Sequence, residues 1–433
     1  MDLSRSSSPL EERHFLESWT PEPLVPEVAA EEYQHVLNPH VITSKPGRFI
    51  TIDGVECLNF GTNNYLGLTG NQRLEQSAIQ ALRKYGVGSC GPRAFYGTMD
   101  VHLELEKELA EFLNVQEAVL YSFGFSTIAS AIPAYAKPSD IIFVDDCSNF
   151  AIQQGVIASK SKVIKFKHND TKHLEQLIEE SIQDQVKRFG TTKKQRTFLI
   201  VEGIYASRGD ICPLRELIEL KKRFKIRLFI DESRSFGVLG SEGKGVSQHF
   251  NVDINDIDLI MASLENALSA YGGFCAGSTY VIDHQRLAGS GYCFSASLPP
   301  FQARVALESL KLICDDQSIV KNAHGMYEYA QEVLGRLTKL KNISHPLSPI
   351  KLLVPSSTNP LHKTVYNKED EKLLDNICHN ILAEEHIALS VSRYIEEEEM
   401  TVPVASIRLV VNGYLIREDI DRVYQALERF SGC

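Results

Sequence analysis

From near Phe49 onward, apolar positions fall into short runs separated by amphipathic stretches: AVLYS at 118, DIIFVD at 140, KVIKFKH at 162, TFLIVEG at 197, RLFID at 227 and DLIMAS at 258. Each run is rich in Val, Ile, Leu or Phe and is followed by a crossover of helix length. That order predicts a mostly parallel sheet covered on both faces. One helix is placed by spacing alone: Val101, Leu105, Leu109 and Phe112 form one apolar face, with Asp100 as the cap. The stripe reads as core. Past about residue 315 the pattern shifts to helical segments around 320–340 and 370–385 with fewer strands, among them KLLVP at 351 and ASIRLVV at 405. The expected division is an extended N-terminal arm over 1–45, a large domain over 46–315 and a small C-terminal α/β domain over 316–433. The arm (SRSSSPLEER, then WTPEPLVPEV) is extended because each proline removes a donor and blocks helix. Residues 185–196 (QVKRFGTTKKQR) read as a solvated loop and the acidic run Glu396 to Glu399 as an exposed face.

Composition narrows the class. With 433 residues the chain can bury more than one core, and 43% apolar with 23% charged residues is ordinary for a globular protein. A formal charge of -11 argues against nucleic acid as a partner, because displacing counterions from phosphates takes clustered Lys and Arg. The nine cysteines stand singly at 57, 90, 147, 212, 275, 293, 314, 378 and 433, without zinc-ligand spacing, so no metal site is expected. Reduced thiols facing a cytosolic compartment are the expectation. No apolar run has the length of a membrane span.

Four segments carry candidate chemistry. Gly86 to Thr98 (GVGSCGPRAFYGT) has four glycines directly before the helix, a density that suits either a tight turn or close approach to a ligand. Ser122 to Ser126 (SFGFS) joins a strand to a helix, where free amides can hold a phosphate or simply make a turn. IDES at 230–233 ends a strand with two carboxylates; Asp231 is a site candidate there, or a cap for the next turn. MASLENALSAYGG at 261–273 ends another strand and closes with paired glycines.

In this order, these segments resemble the α-oxoamine synthase family of fold-type I pyridoxal-phosphate (PLP) enzymes. NNYLGL at 63–68, GVGSCGPRAFYGTMDVHLELE at 86–106, DESRSFGVLG at 231–240, SLENALSAYGG at 263–273 and FSASLPP at 294–300 carry the likeness, from about Asn64 to Arg408. The resemblance implies an aspartate aminotransferase-like α/β fold, a mostly parallel large domain with a smaller C-terminal domain. It also implies departures. Where active members place Thr/Ser, two residues and the Schiff-base lysine, this chain has Ser263 and then Asn266, and no lysine lies between Lys244 and Lys311. An amide nitrogen cannot do the work of an amine, since its lone pair is delocalised into the carbonyl. Asp231 matches the partner of the pyridinium nitrogen, but Arg234 replaces a histidine and Asn149 falls where a ring-stacking histidine belongs. No catalytic residue is therefore expected, and Asp231 is vestigial.

The resemblance further implies a heterodimer in which a lysine-bearing homologous subunit holds PLP covalently. Ser295 and Ser297 would approach the phosphate of the partner's cofactor, or else cap a local turn. Arg408 and Asn64 match substrate contacts; both are otherwise vestigial, with Arg408 pairing with a neighbouring acid. Cys90, Phe95 and Tyr96 belong to the interface segment. The implied reaction condenses L-serine with palmitoyl-CoA to 3-ketosphinganine with loss of carbon dioxide. Small activating subunits, ORM-type regulators and the cytosolic face of the endoplasmic reticulum membrane are expected on the same ground, the membrane being reached through partners or through an N-terminal helix missing here. Two other classes stay open: an independently active synthase of the aminolevulinate or 2-amino-3-ketobutyrate type, and an interaction protein with a vestigial fold.

Overall fold

A computed structural model describes residues 9–24, 39–190, 195–358, 366–396 and 398–432. It divides into two compact units, residues 1–42 and 43–433. The first contains a helix, Pro9–Ser18, inside the stretch expected to be an extended arm. Proline is tolerated there because a first helical residue has no use for its N–H, and Arg13 meets Glu17 one turn later at 3.4 Å. Residues 1–8 and 25–38 of the expected arm lie outside the described residues.

The second unit begins with an antiparallel hairpin, β1 (Phe49–Ile52) and β2 (Val55–Asn59). Seven strands then form the main sheet: β3 (Glu117–Tyr121), β4 (Ile141–Asp145), β5 (Lys162–Phe166), β6 (Thr197–Glu202), β7 (Arg227–Asp231), β8 (Leu259–Ser263) and β9 (Gly273–Gly277), in the order β3-β9-β8-β7-β6-β4-β5. β4 to β8 run parallel, and β9 lies antiparallel between β8 and β3. The apolar runs found by pattern are these strands, apart from β9. Its sequence, GFCAG, has no β-branched residue to mark it.

The C-terminal part adds β10 (Leu340–Asn342), β11 (Ile350–Pro355), β12 (Ile387–Ala388), β13 (Ser390–Val391) and β14 (Ile407–Val410). An antiparallel sheet has the order β10-β11-β14-β13, while β12 joins β2 in parallel. Arg48 also meets Asp419 at 2.9 Å. The N-terminal segment of the 46–315 division, from Phe49 to Phe60, thus pairs with the C-terminal part. One apolar core runs through both regions, from Leu58 to Leu427.

The helix Asp100–Leu113 buries Val101, Leu105, Leu109 and Phe112, the face set by spacing. Its cap differs from expectation. Met99 holds the N-cap position and His102 Nδ1 accepts the Met99 N–H at 3.1 Å, while Asp100 is the first helical residue and its carboxylate pairs with Lys84 at 2.7 Å. The segment expected as a loop from 185 is helical to its residue 189, within Thr171–Phe189; Lys187 and Arg188 face the negative end of the helix dipole. Residues 191–194 of that loop, Glu397 of the acidic run and Cys433 lie outside the described residues. The described cysteines are free thiols. No described helix is long and apolar enough to cross a membrane.

Candidate functional site

The carboxyl ends of β6, β7 and β8 bring Glu202, Asp231 and Ser263 to one rim of the sheet, where parallel α/β folds gather their ligands. Asp231 is buried and already engaged: its Oδ2 accepts from Asn149 Nδ2 at 2.8 Å and its Oδ1 from the Ser233 N–H at 2.9 Å. Asn149 is held in turn. Its Oδ1 caps the helix Phe150–Ser159 through the Ala151 and Ile152 N–H groups, and its own N–H donates to Glu202 Oε1 at 2.7 Å. Burial, with Asp231 close by, raises the pKa of the Glu202 carboxyl, against the Arg234 charge and the Asn149 and Ala206 N–H groups, which favour its ionised form. Burial works against the charge of Arg234, but Tyr65, Glu202, Asp231 and Glu265 around it hold its pKa above the ordinary value. Arg234 Nε is buried without a hydrogen-bond partner.

Asn266 lies on the short helix Glu265–Leu268 that follows β8. Its Nδ2 donates to the Ser233 carbonyl at 2.7 Å and its own carbonyl accepts the Tyr65 N–H at 2.9 Å. Ser263 Oγ accepts the Glu265 N–H at 3.1 Å, and a Cβ on Gly124 would stand 2.6 Å from that Oγ. The glycine is therefore required where the helix Gly124–Tyr135 starts against Ser263. The same Cβ position is 3.5 Å from Glu265 Oε1, so a carboxylate stands beside the amides that could have cradled a phosphate.

The remaining expected residues divide. Asn64 is 1% exposed, and its Oδ1 accepts from the Leu68 N–H at 2.9 Å, the Thr69 N–H at 3.3 Å and Ser269 Oγ at 3.0 Å, which makes it the organiser of a turn. Arg408 donates to Asn63 Oδ1 and meets no carboxylate among the described residues, so the expected acid partner is replaced by an amide. Burial and the neighbouring Arg234 lower its pKa. Ser297 is buried, with its hydroxyl donating to the Gly91 carbonyl at 3.1 Å and to the Gly97 carbonyl. Of its two expected roles, turn capping is the one its bonds fill. Ser295 is half-buried, at the end of the helix Ser290–Phe294.

These bonds also gather the glycine-rich segment onto the rim. Ser297 N–H reaches Gly91 O at 2.9 Å, Ser89 Oγ reaches Ser297 O at 2.8 Å, and Ser122 Oγ donates to Ala296 O. Cys90 and Tyr96 both take positive φ, 59° and 64°, and with Phe95 they lie exposed. Tyr96 is fully exposed, Phe95 66% and Phe294 81%.

Glu202, Tyr65 and Glu265 were not singled out from the sequence. The rule that drew attention to Asp231, an acid ending an apolar strand, applies equally to Glu202 at the end of TFLIVE.

The aminotransferase class I and II family model matches residues 55–427. The chain belongs to this family. Among relatives, it is 39% identical to Long chain base biosynthesis protein 1c of Oryza sativa subsp. japonica, over 99% of this chain and 88% of that protein. It is 38% identical to Serine palmitoyltransferase 1 of Dictyostelium discoideum (98% and 87% covered) and 30% identical to Serine palmitoyltransferase 1 of Saccharomyces cerevisiae (98% and 82%). A solved serine palmitoyltransferase of S. paucimobilis, a lysine-to-alanine variant with a bound PLP–myriocin aldimine, shares the fold with TM-score 0.78 at 21% identity, over 93% of this chain and 96% of that one. An 8-amino-7-oxononanoate synthase from Francisella tularensis superposes with TM-score 0.66 at 22% identity, over 87% and 97%.

A PLP-dependent member of this family needs an amine for the aldehyde, a free carboxylate for the ring nitrogen and an anion cradle for the phosphate. Here the amine position is an amide bound to Ser233 O and Glu265 stands at the cradle, while Asp231, with one bond on each oxygen, keeps acceptor capacity. The residues present do not fit a covalently held cofactor.

Proposed function

We propose that this chain is the lysine-less, non-catalytic subunit of a serine palmitoyltransferase, required by a lysine-bearing second subunit that holds PLP covalently. The complex condenses L-serine with palmitoyl-CoA to 3-ketosphinganine, the first step of sphingolipid biosynthesis. The observation that carries this reading is Asn266, whose amide donates to Ser233 O at the position where a family enzyme needs an amine. The names of the relatives support the substrate class. The exposed aromatics of the glycine-rich segment support a partner surface, since exposed Phe and Tyr beside a folded loop are the usual anchors of an interface. Ser295 and Ser297 are the hydroxyls offered to the partner's phosphate, Ser297 in exchange for its bonds to the Gly91 and Gly97 carbonyls. Small activating subunits, ORM-type regulators and attachment to the cytosolic face of the endoplasmic reticulum membrane, through partners or a further helix, belong to the same proposal.

One observation favours an interaction protein with a vestigial site instead: the hydroxyl of Ser297 is spent on its own chain. Ser295→Ala with Ser297→Ala in the assembled complex separates the two readings, because unchanged turnover removes the proposed contribution to the partner's site. The main reading is tested by co-expression with a lysine-bearing homologue and assay of each chain alone and of the pair with serine and acyl-CoA. Turnover by the pair only is expected. Condensation by the isolated chain would overturn it.

A further inference from the structure

At the opposite end of the main sheet, where β6, β7 and β8 begin, a cavity of about 640 Å³ opens between Thr197, Arg227 and Asp258 on one side and Gly277 to His284 on the other. That volume falls within the usual range of small-molecule sites. It stands whether or not this chain pairs with a lysine-bearing homologue. Its wall is aromatic: the Tyr135 and Phe229 rings meet at 5.3 Å, and Phe198 meets Phe229 at 5.3 Å. Its mouth is cationic. Arg196 pairs with Asp140 at 2.7 Å, while Asp258 is shared between Arg227 at 2.7 Å and Lys221 at 2.8 Å. Lys225, exposed with φ 56°, makes no ion pair among the described residues. Of the charged groups that line the cavity, three are cations (Arg196, Lys225, Arg227) and one is a carboxylate (Asp258), an excess of two positive charges at the lining; behind it Asp140 and Lys221 offset each other, and Asp256 and Asp253 stand near Lys222. In a chain of net charge -11 such a local excess calls for an anion.

We propose that this cavity binds a phosphate monoester carried on an apolar or aromatic body. A monoester brings a charge of about -1.5 to -2 near neutral pH and three acceptor oxygens, which matches the uncompensated charge and the guanidinium donors. The half-buried Tyr135 and the exposed Tyr280 of the lining take the attached body by stacking or apolar contact, over the buried Phe198 and Phe229. A nucleotide and a lipid phosphate both have this chemistry, so each is a probe.

Calorimetric titration of the full chain, alone or within its complex, with adenosine monophosphate, dodecyl phosphate and inorganic phosphate tests the proposal. At least one monoester is expected to bind saturably, more tightly than inorganic phosphate, and less tightly as salt is added. Binding by adenosine monophosphate only assigns a nucleotide; binding by dodecyl phosphate only assigns a lipid phosphate. Lys225→Glu, at an exposed side chain, is expected to weaken binding about tenfold or more, equivalent to about 1.4 kcal/mol or more. Ser278→Trp, an exposed lining position, is expected to block it sterically, and keeps the test open should the charge reversal fail to fold. No saturable monoester binding, inorganic phosphate binding as tightly, or both variants binding as the parent does would each overturn the proposal.

Discussion

Asn149 is held at the rim by both ends of its amide, because its oxygen closes a helix and its nitrogen donates to Asp231, so it offers no ring to stack on a cofactor. Restoring the lysine alone therefore does not restore the cofactor. Asn266→Lys, incubated with PLP, is expected to show no Schiff-base absorption band, since Asn149 offers no ring to stack, Arg234 remains beside Asp231 and Glu265 stands at the phosphate cradle. A band at stoichiometric PLP would contradict this. Glu202 offers a second test at the same scale. Its folded pKa is raised above the ordinary 4.5 by burial and by Asp231, so the folded state binds its proton more tightly than the unfolded state. The stability this contributes is fully present below about pH 4.5 and is lost as pH rises through the raised folded value. Glu202→Gln removes that loss, so the difference in Tm between variant and parent is expected to grow in the variant's favour from pH 5 to pH 8.5; a difference independent of pH would refute the assignment.

The glycine-rich segment is an element whose shape depends on two features. Arg93 and Glu106 form a buried bidentate pair, with N–O distances of 2.7 and 3.0 Å, and Glu106 Oε1 also accepts the Leu120 N–H at 2.9 Å, tying the segment to β3. Arg93→Met leaves that carboxylate buried without its cation, a loss of about 3–5 kcal/mol expected in urea unfolding. A stability unchanged within error would show that the pair does not hold the segment. At Gly97, a Cβ would come within 1.9 Å of the Gly91 carbonyl, so no side chain fits without moving the turn. Much of this scale was legible in the sequence. Parallel strands of Val, Ile and Leu announce themselves, and so does an apolar stripe at helical spacing. β9 did not, because GFCAG has glycines at both ends and reads as a turn. β12 was hidden for another reason: a two-residue strand gains its identity only from β2, over three hundred residues earlier in the chain. The Asp100 cap failed because the helix starts one residue earlier, with Met99 at the N-cap, and the Asp100 carboxylate turns to the Val101 N–H and to Lys84. In the site, Asn266 drew attention because a covalent bond to PLP has one acceptable residue type, and the structure places it on the short helix after β8. The spending of Ser297 and Asn64 on backbone groups was not legible, since hydroxyls and amides suit ligand and turn equally.

At the scale of the whole molecule, the proposed role separates the family fold from its chemistry, and three exposed aromatics, Phe95, Tyr96 and Phe294, stand on the glycine-rich segment and the loop bonded to it. Tyr96 and Phe294 contribute little to the folded chain because they are solvent-facing. Replacing both with Asp is expected to lower recovery of the partner subunit in co-purification about tenfold or more while leaving the far-UV spectrum unchanged. Undiminished recovery would place the interface elsewhere. The central claim, that the cofactor's covalent bond is made by a companion chain, is tested most directly by borohydride reduction of the assembled, active complex followed by peptide mapping. The pyridoxyl label is expected on a lysine of the partner subunit and on no peptide of this chain. A label on any lysine of this chain would contradict the account.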